Sequence, residues 1–165
     1  MEINFTLCLA TAVIPMLIGF IWYHPAVFGK AWMGLAGLDE EKLKAGNMAV
    51  IFGFCILLSL MLASYMPGQV IHQMAIQSMM MNEPEMMTNP MANPDYNLMI
   101  TKYGQNFRTF KHGAFHGVLT ALFMALPILG INALFERKGA KYIFLHLGYW
   151  IITLALMGGV ICQWA

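Results

Sequence analysis

His112 and His116 stand four residues apart in Lys111-His112-Gly113-Ala114-Phe115-His116-Gly117. On a helix, that spacing puts both imidazoles on one face. Two such side chains can ligate a single ion, with His72 or a thioether completing the set. Between His72 and His112 lie eight of the chain's 16 methionines: Met74, Met79, Met80, Met81, Met86, Met87, Met91 and Met99. Thioethers favour a soft ion such as Cu(I). The candidate metal set is therefore His72, His112 and His116 with Met79, Met80, Met81, Met86 and Met87. Two features weigh the other way: the His-x-x-x-His holds no Glu, and no Cys accompanies it. Methionine is also common on adaptable surfaces that meet lipid or a partner.

A second group gathers His24, Lys30, Glu136, Arg137 and His146, all at span ends or in short loops. Its cations suit an anionic headgroup or a small polar solute, and His24 with His146 could exchange a proton. Flanking Lys and Arg are also what orientation in a membrane demands, so anchoring accounts for much of this charge. For catalysis there is little to work with. No Gly-rich phosphate loop, Gly-x-Ser-x-Gly or pair of carboxylates on one helix face occurs. A membrane-embedded enzyme or proton-coupled carrier would have to act at His24, His146 and Glu136, and no residue is assigned a catalytic role.

The elements that position these groups belong in lipid. The chain is 165 residues, 59% apolar and only 10% charged, against roughly 25% charged for a soluble domain; its mean hydropathy is +0.64. A net charge of +1 excludes an electrostatic case for nucleic acid. Cys8, Cys55 and Cys162 are scattered within apolar runs, with neither disulfide nor metal spacing. Four stretches are long enough to cross ~30 Å of hydrocarbon: about 3–23, 48–66, 113–134 and 142–164. The first is expected to be a retained span rather than a secretory signal, because Glu2 replaces a basic start and Ala10-Thr11-Ala12 comes too early for cleavage.

The local punctuation is informative. Pro25 ends the first span, amid the interfacial rings Trp22, Tyr23 and Trp32. Leu38 to Gly46 reads as a short polar helix with acids early and lysines late. Pro67-Gly68 closes or kinks the second span. Residues 67–112 form a long connection, irregular between Asn82 and Asn93. From Asp95, Tyr96, Met99, Tyr103, Phe107 and Phe110 recur at helical steps, predicting an amphipathic helix at the membrane surface. In the third span Gly113, Gly117, Ala121 and Ala125 make a smooth stripe for a close partner, Pro127 predicts a kink, and the segment reads as the bundle's central spar. Ala155 and Gly159 offer a matching contact in the fourth.

Loops one and three share a face and carry Lys30, Lys42, Lys44, Arg137, Lys138 and Lys141, against Lys102, Arg108 and Lys111 in the long connection. That bias predicts termini and residues 67–112 outside the cytoplasm. The histidines then divide into an outer group (His72, His112, His116) and an inner one (His24, His146).

Trp22-Tyr23-His24-Pro25 with Phe28-Gly29-Lys30 and Trp32-Met33, followed by Leu134-Phe135-Glu136-Arg137 and Met157-Gly158-Gly159, resembles the domain-of-unknown-function 1761 family. The resemblance covers the spans and short loops, while the Met-rich loop reads as an insertion. It implies a four-span bacterial inner-membrane protein and carries no activity with it. The fold expected is one all-α membrane domain, 1–165, an antiparallel four-helix bundle with an interfacial helix before the third span. The function expected is a non-enzymatic accessory or small-solute-binding component. The alternatives are soft-metal handling at the outer side and an enzyme or carrier at the inner one. No cofactor is expected beyond Cu(I) or a similar soft metal in the metal alternative. The expected partners are the lipid bilayer and another membrane protein or a second copy of the chain.

Overall fold

The computed structural model describes residues 3–165; Glu2, on which the signal-peptide argument leans, lies outside them. Among the described residues four helical segments are long and apolar enough to cross a membrane: Phe5–Trp22, Met48–Val70, Phe110–Phe135 and Ala140–Trp164. No strand accompanies them. Helices are the open-chain solution in lipid because each satisfies its own backbone groups. Their outer faces carry Leu57, Met61, Phe123, Ile128 and Phe144 exposed, as a hydrocarbon solvent allows.

The first span is two helices, α1 (Phe5–Ala10) and α2 (Val13–Trp22), joined through Thr11-Ala12. Pro15 explains the break: it has no N–H to donate, and its ring crowds the carbonyl four residues back, that of Thr11. Beyond Tyr23 the chain does not simply turn. His24 is extended, Pro25–Gly29 forms a π-helical turn, and helix α3 (Lys30–Ala36) follows. Gly29 is required there, because a Cβ would run into the backbone of Tyr23 and His24. The polar helix α4 (Glu40–Ala45) is capped by the Asp39 side chain, which accepts from Lys42 N at 2.8 Å.

The second span, α5 (Met48–Val70), starts at an Asn47 cap and runs through Pro67. Pro67 therefore does not close it. The lost bond falls in the last turn, and burial of Met66, Pro67 and Val70 holds that turn in place. The third span departs from a regular helix just before Pro127: α8 (Phe110–Thr120) widens into a π-helical turn at Ala121–Ala125 before α9 (Leu126–Phe135). Widening moves the carbonyls of the preceding turn away from the proline ring. A tight turn with Arg137 at φ 62° leads into the fourth span, α10 (Ala140–Trp164).

The centre of the bundle is the fourth span rather than the third. A third of its apolar window (33%) is buried, against 11% for the third, because α10 packs on all the others. The expected small-residue seam is real. Gly113 and Gly158 meet backbone to backbone, Gly117 lies against Leu154 and Ala155, and Gly159 receives the Phe110 ring. Ala121 is fully buried on the same stripe. Packing is tightest at the end bearing the long connection, where Cys8, Met66, Ile71, Met157, Ile161 and Cys162 form the core.

The connection is itself folded. It comprises α6 (Gln73–Met79), 3-10 turns at Pro84–Met87 and Pro90–Ala92, and α7 (Pro94–Tyr103). The amphipathic helix is present, but Asn93 caps it, accepting from Asp95 N and Tyr96 N at 3.1 Å each. It stops at Tyr103, so Phe107 and Phe110 lie beyond it. The buried Gln73 amide donates to Tyr103 O at 2.9 Å and Asn106 O at 2.8 Å, fastening the following turn onto α6. Tyr96 is 1% exposed, and burial pushes its phenol above the ordinary range.

Candidate metal-binding site

His72 follows the end of α5, at the start of α6, while His112 and His116 sit one turn apart on α8. Their meeting depends on the second and third spans being neighbours at this end. The local framing of α8 is explicit: the Thr109 hydroxyl accepts from His112 N at 3.3 Å, and Gln163 Oε1 accepts from Phe110 N at 2.8 Å. Helix start and imidazole direction are thus fixed from α10 as well as from within α8.

The result is a compact group of three rings. His72 Nε2 and His112 Nε2 are 2.8 Å apart. Ring centroids lie at 4.9 Å for His72–His116 and 4.6 Å for His112–His116. One nitrogen from each residue can be chosen so that all three lie within 4.8 Å of one another. Zinc sits ~2.0–2.1 Å from an imidazole nitrogen, so tetrahedral ligation asks for nitrogens ~3.3 Å apart. Phe107, held at φ 62°, closes one side with its ring 5.7 Å from His72 and 5.0 Å from His112. His72 is exposed and the other two are half-buried, so an ion has a way in.

The methionines are arranged differently. Met79, Met81 and Met87 are exposed, Met80 is half-buried, and Met86 is buried within the folded connection. The donors that converge are imidazoles, which suit zinc, copper, iron or nickel.

At the other end the sequence-derived group is dispersed. His24 Nδ1 accepts from Ala26 N at 3.2 Å, capping the turn that follows it. Lys30, Glu136 and Arg137 are exposed, and Glu40 of the neighbouring loop pairs with Lys44 on its own helix. Lys138, not Arg137, makes the inter-loop contact, donating to Ala36 O at 3.0 Å at the end of α3. His146 is bonded to Tyr23 through Nδ1 and the phenol oxygen at 2.8 Å, with the Tyr142 ring 4.4 Å away. Its Nε2 is buried without a partner among the described residues, as is Trp22 Nε1. Tyr142 and Gln73 were not singled out by sequence, and Tyr23 was read as an interfacial ring rather than as a partner of His146. Tyr142 could have been found, since it precedes His146 by four on one helix.

No curated protein and no solved structure matches the chain. The family model described as protein of unknown function (DUF1761) matches residues 6–162. That match runs from the first span to the end of the fourth, across both histidine groups, and the chain belongs to the DUF1761 family.

Proposed function

We propose that this multi-pass membrane protein binds a transition-metal ion through His72, His112 and His116. The observation that carries the reading is the convergence of three imidazoles from separate elements, with ligand nitrogens mutually within 4.8 Å. Three neutral imidazoles leave a fourth position for water, a methionine of the connection, or a transferred ligand. The same reading extends to placement. The six basic residues of loops one and three favour a cytoplasmic face there, which puts the metal site on the outer side of a bacterial inner membrane. An outward site with His72 exposed suits capture or handing-on of copper or zinc more than an accessory role without a ligand.

The test is elemental analysis of purified full-length protein after exposure to Zn(II), and to Cu(I) under reducing conditions. One ion per chain is expected, with loss of binding in His112→Ala and His116→Ala. Absence of any bound ion under both conditions ends the reading.

A further inference from the structure

A large cleft opens in the half of the bundle remote from His72, His112 and His116, with His24 at its rim. It has a volume of about 820 Å³ and runs between the first two spans, from Tyr23, Trp32 and Met48 down to Pro15 and Leu62. Tyr149 and Trp150 of α10 form its floor. The volume falls within the ~300–1,000 Å³ of ligand pockets. Met48 to Leu62 alone advances roughly 21 Å along α5, so the cleft is an elongated trough at hydrocarbon depth.

Its lining selects the occupant. No Asp, Glu, Lys or Arg among the described residues lines it, and the His24 imidazole at its rim already accepts from Ala26 N at 3.2 Å, so a charged head is disfavoured. The walls are largely apolar and aromatic, including Phe20, Phe52 and Trp150. Two of its hydroxyls are already engaged: Tyr149 donates to Pro15 O at 2.9 Å, and the Tyr23 hydroxyl is bonded to His146 Nδ1. Ser59 is different. It is 6% exposed, lines the cleft, and has no side-chain hydrogen bond among the described residues. A serine in a membrane helix ordinarily satisfies itself on a carbonyl one turn back, as Ser64 does on Leu60 O at 2.8 Å. Ser59 instead presents a donor about 16 Å along α5 from Met48, where only a lipophile can bring an acceptor.

We infer that this trough binds an uncharged, long-chain lipophile carrying a carbonyl, which accepts from Ser59 while the apolar body fills the space against Phe20, Phe52 and Trp150. Prenylquinones and long-chain esters share that chemistry. Cys55 lines the same wall and provides the readout, because Cys8 and Cys162 are buried in the core.

Full-length protein in mild detergent would be alkylated with N-ethylmaleimide at Cys55 in the presence of decylubiquinone or methyl oleate. Saturable protection is expected, and the probe that protects at the lower concentration identifies the source. Ser59→Ala should weaken protection about five-fold, the worth of one neutral hydrogen bond. Gly19→Leu should weaken it at least ten-fold (~1.4 kcal/mol) by filling the trough. A Cβ at Gly19 meets only the Tyr149 ring, at 3.9 Å, so the helix itself accepts the change. Should Gly19→Leu fail to fold, Ser59→Ala decides. Protection by neither probe, protection that never saturates, or equal protection in wild type and variants overturns the proposal.

Discussion

His72 Nε2 lies 2.8 Å from His112 Nε2, although 40 positions separate the two residues in the chain. Two nitrogens that close share a proton; parted to ~3.3 Å they would share an ion, with His116 alongside as the third ligand. A ligand that binds only the folded state stabilises it by mass action, about 4 kcal/mol at a thousand times its dissociation constant. Thermal unfolding should therefore shift upward with Zn(II) or Cu(I) and return with chelator. In His116→Ala the metal-induced shift should largely vanish. An equal shift in that variant would place the ion elsewhere.

The Gly113–Gly158 contact leaves no room for a side chain. Gly113→Val would press a branched group onto the Gly158 carbonyl and the Cys162 side chain. Overpacking of this kind costs about 1–3 kcal/mol, and more where backbone must part. Cys162 is 1% exposed, so in a Cys55→Ser background, which removes the accessible thiol, reaction with a thiol dye on heating reports the opening of the core. Onset should fall by several degrees, while Gly130→Ala, where an added Cβ meets nothing within 4 Å, should be silent.

Gln73 ties the long connection together with two bonds from one amide. Gln73→Leu keeps the volume but removes both donors, leaving two backbone carbonyls to find water. A loss of about 1–3 kcal/mol is expected from such unpaired groups. Its effect should be local: faster hydrogen exchange over residues 104–109, and weaker metal binding because Phe107 and His72 flank that turn. Unchanged exchange there would show that α7 is held by other contacts.

At the opposite end, Tyr23→Phe would remove the Nδ1 partner of His146, whose Nε2 already has none among the described residues. The cost is that of a half-buried unsatisfied group, about 1–3 kcal/mol. His146→Phe in the same background should recover much of it, since removing both polar groups is nearly neutral. Failure of that recovery would mean that His146 has a further role.

Topology is open to direct labelling. Lys111→Cys and Glu136→Cys should react from opposite sides of the bilayer, as one crossing by Phe110–Phe135 requires. The charge bias adds that Glu136→Cys is the cytoplasmic one.

How far the chain alone could be read follows from the range of each interaction. Four uncharged runs, the proline at 127 and the glycine-alanine stripe at every fourth position act within one helix, so the spans, an irregularity in the third and the contact face were legible from spacing. The pair His112 and His116 was legible for the same reason. What spacing could not supply is which helix stands next to which. Only packing made α10 the centre, brought His72 to the other two imidazoles and left Glu136 and Arg137 exposed. Only packing opened a trough beneath Ser59, a residue that in sequence is one more serine in a greasy run. Local patterns select helices and faces; the close approach of backbones from distant segments selects neighbours, and both candidate sites of this protein are made by neighbours.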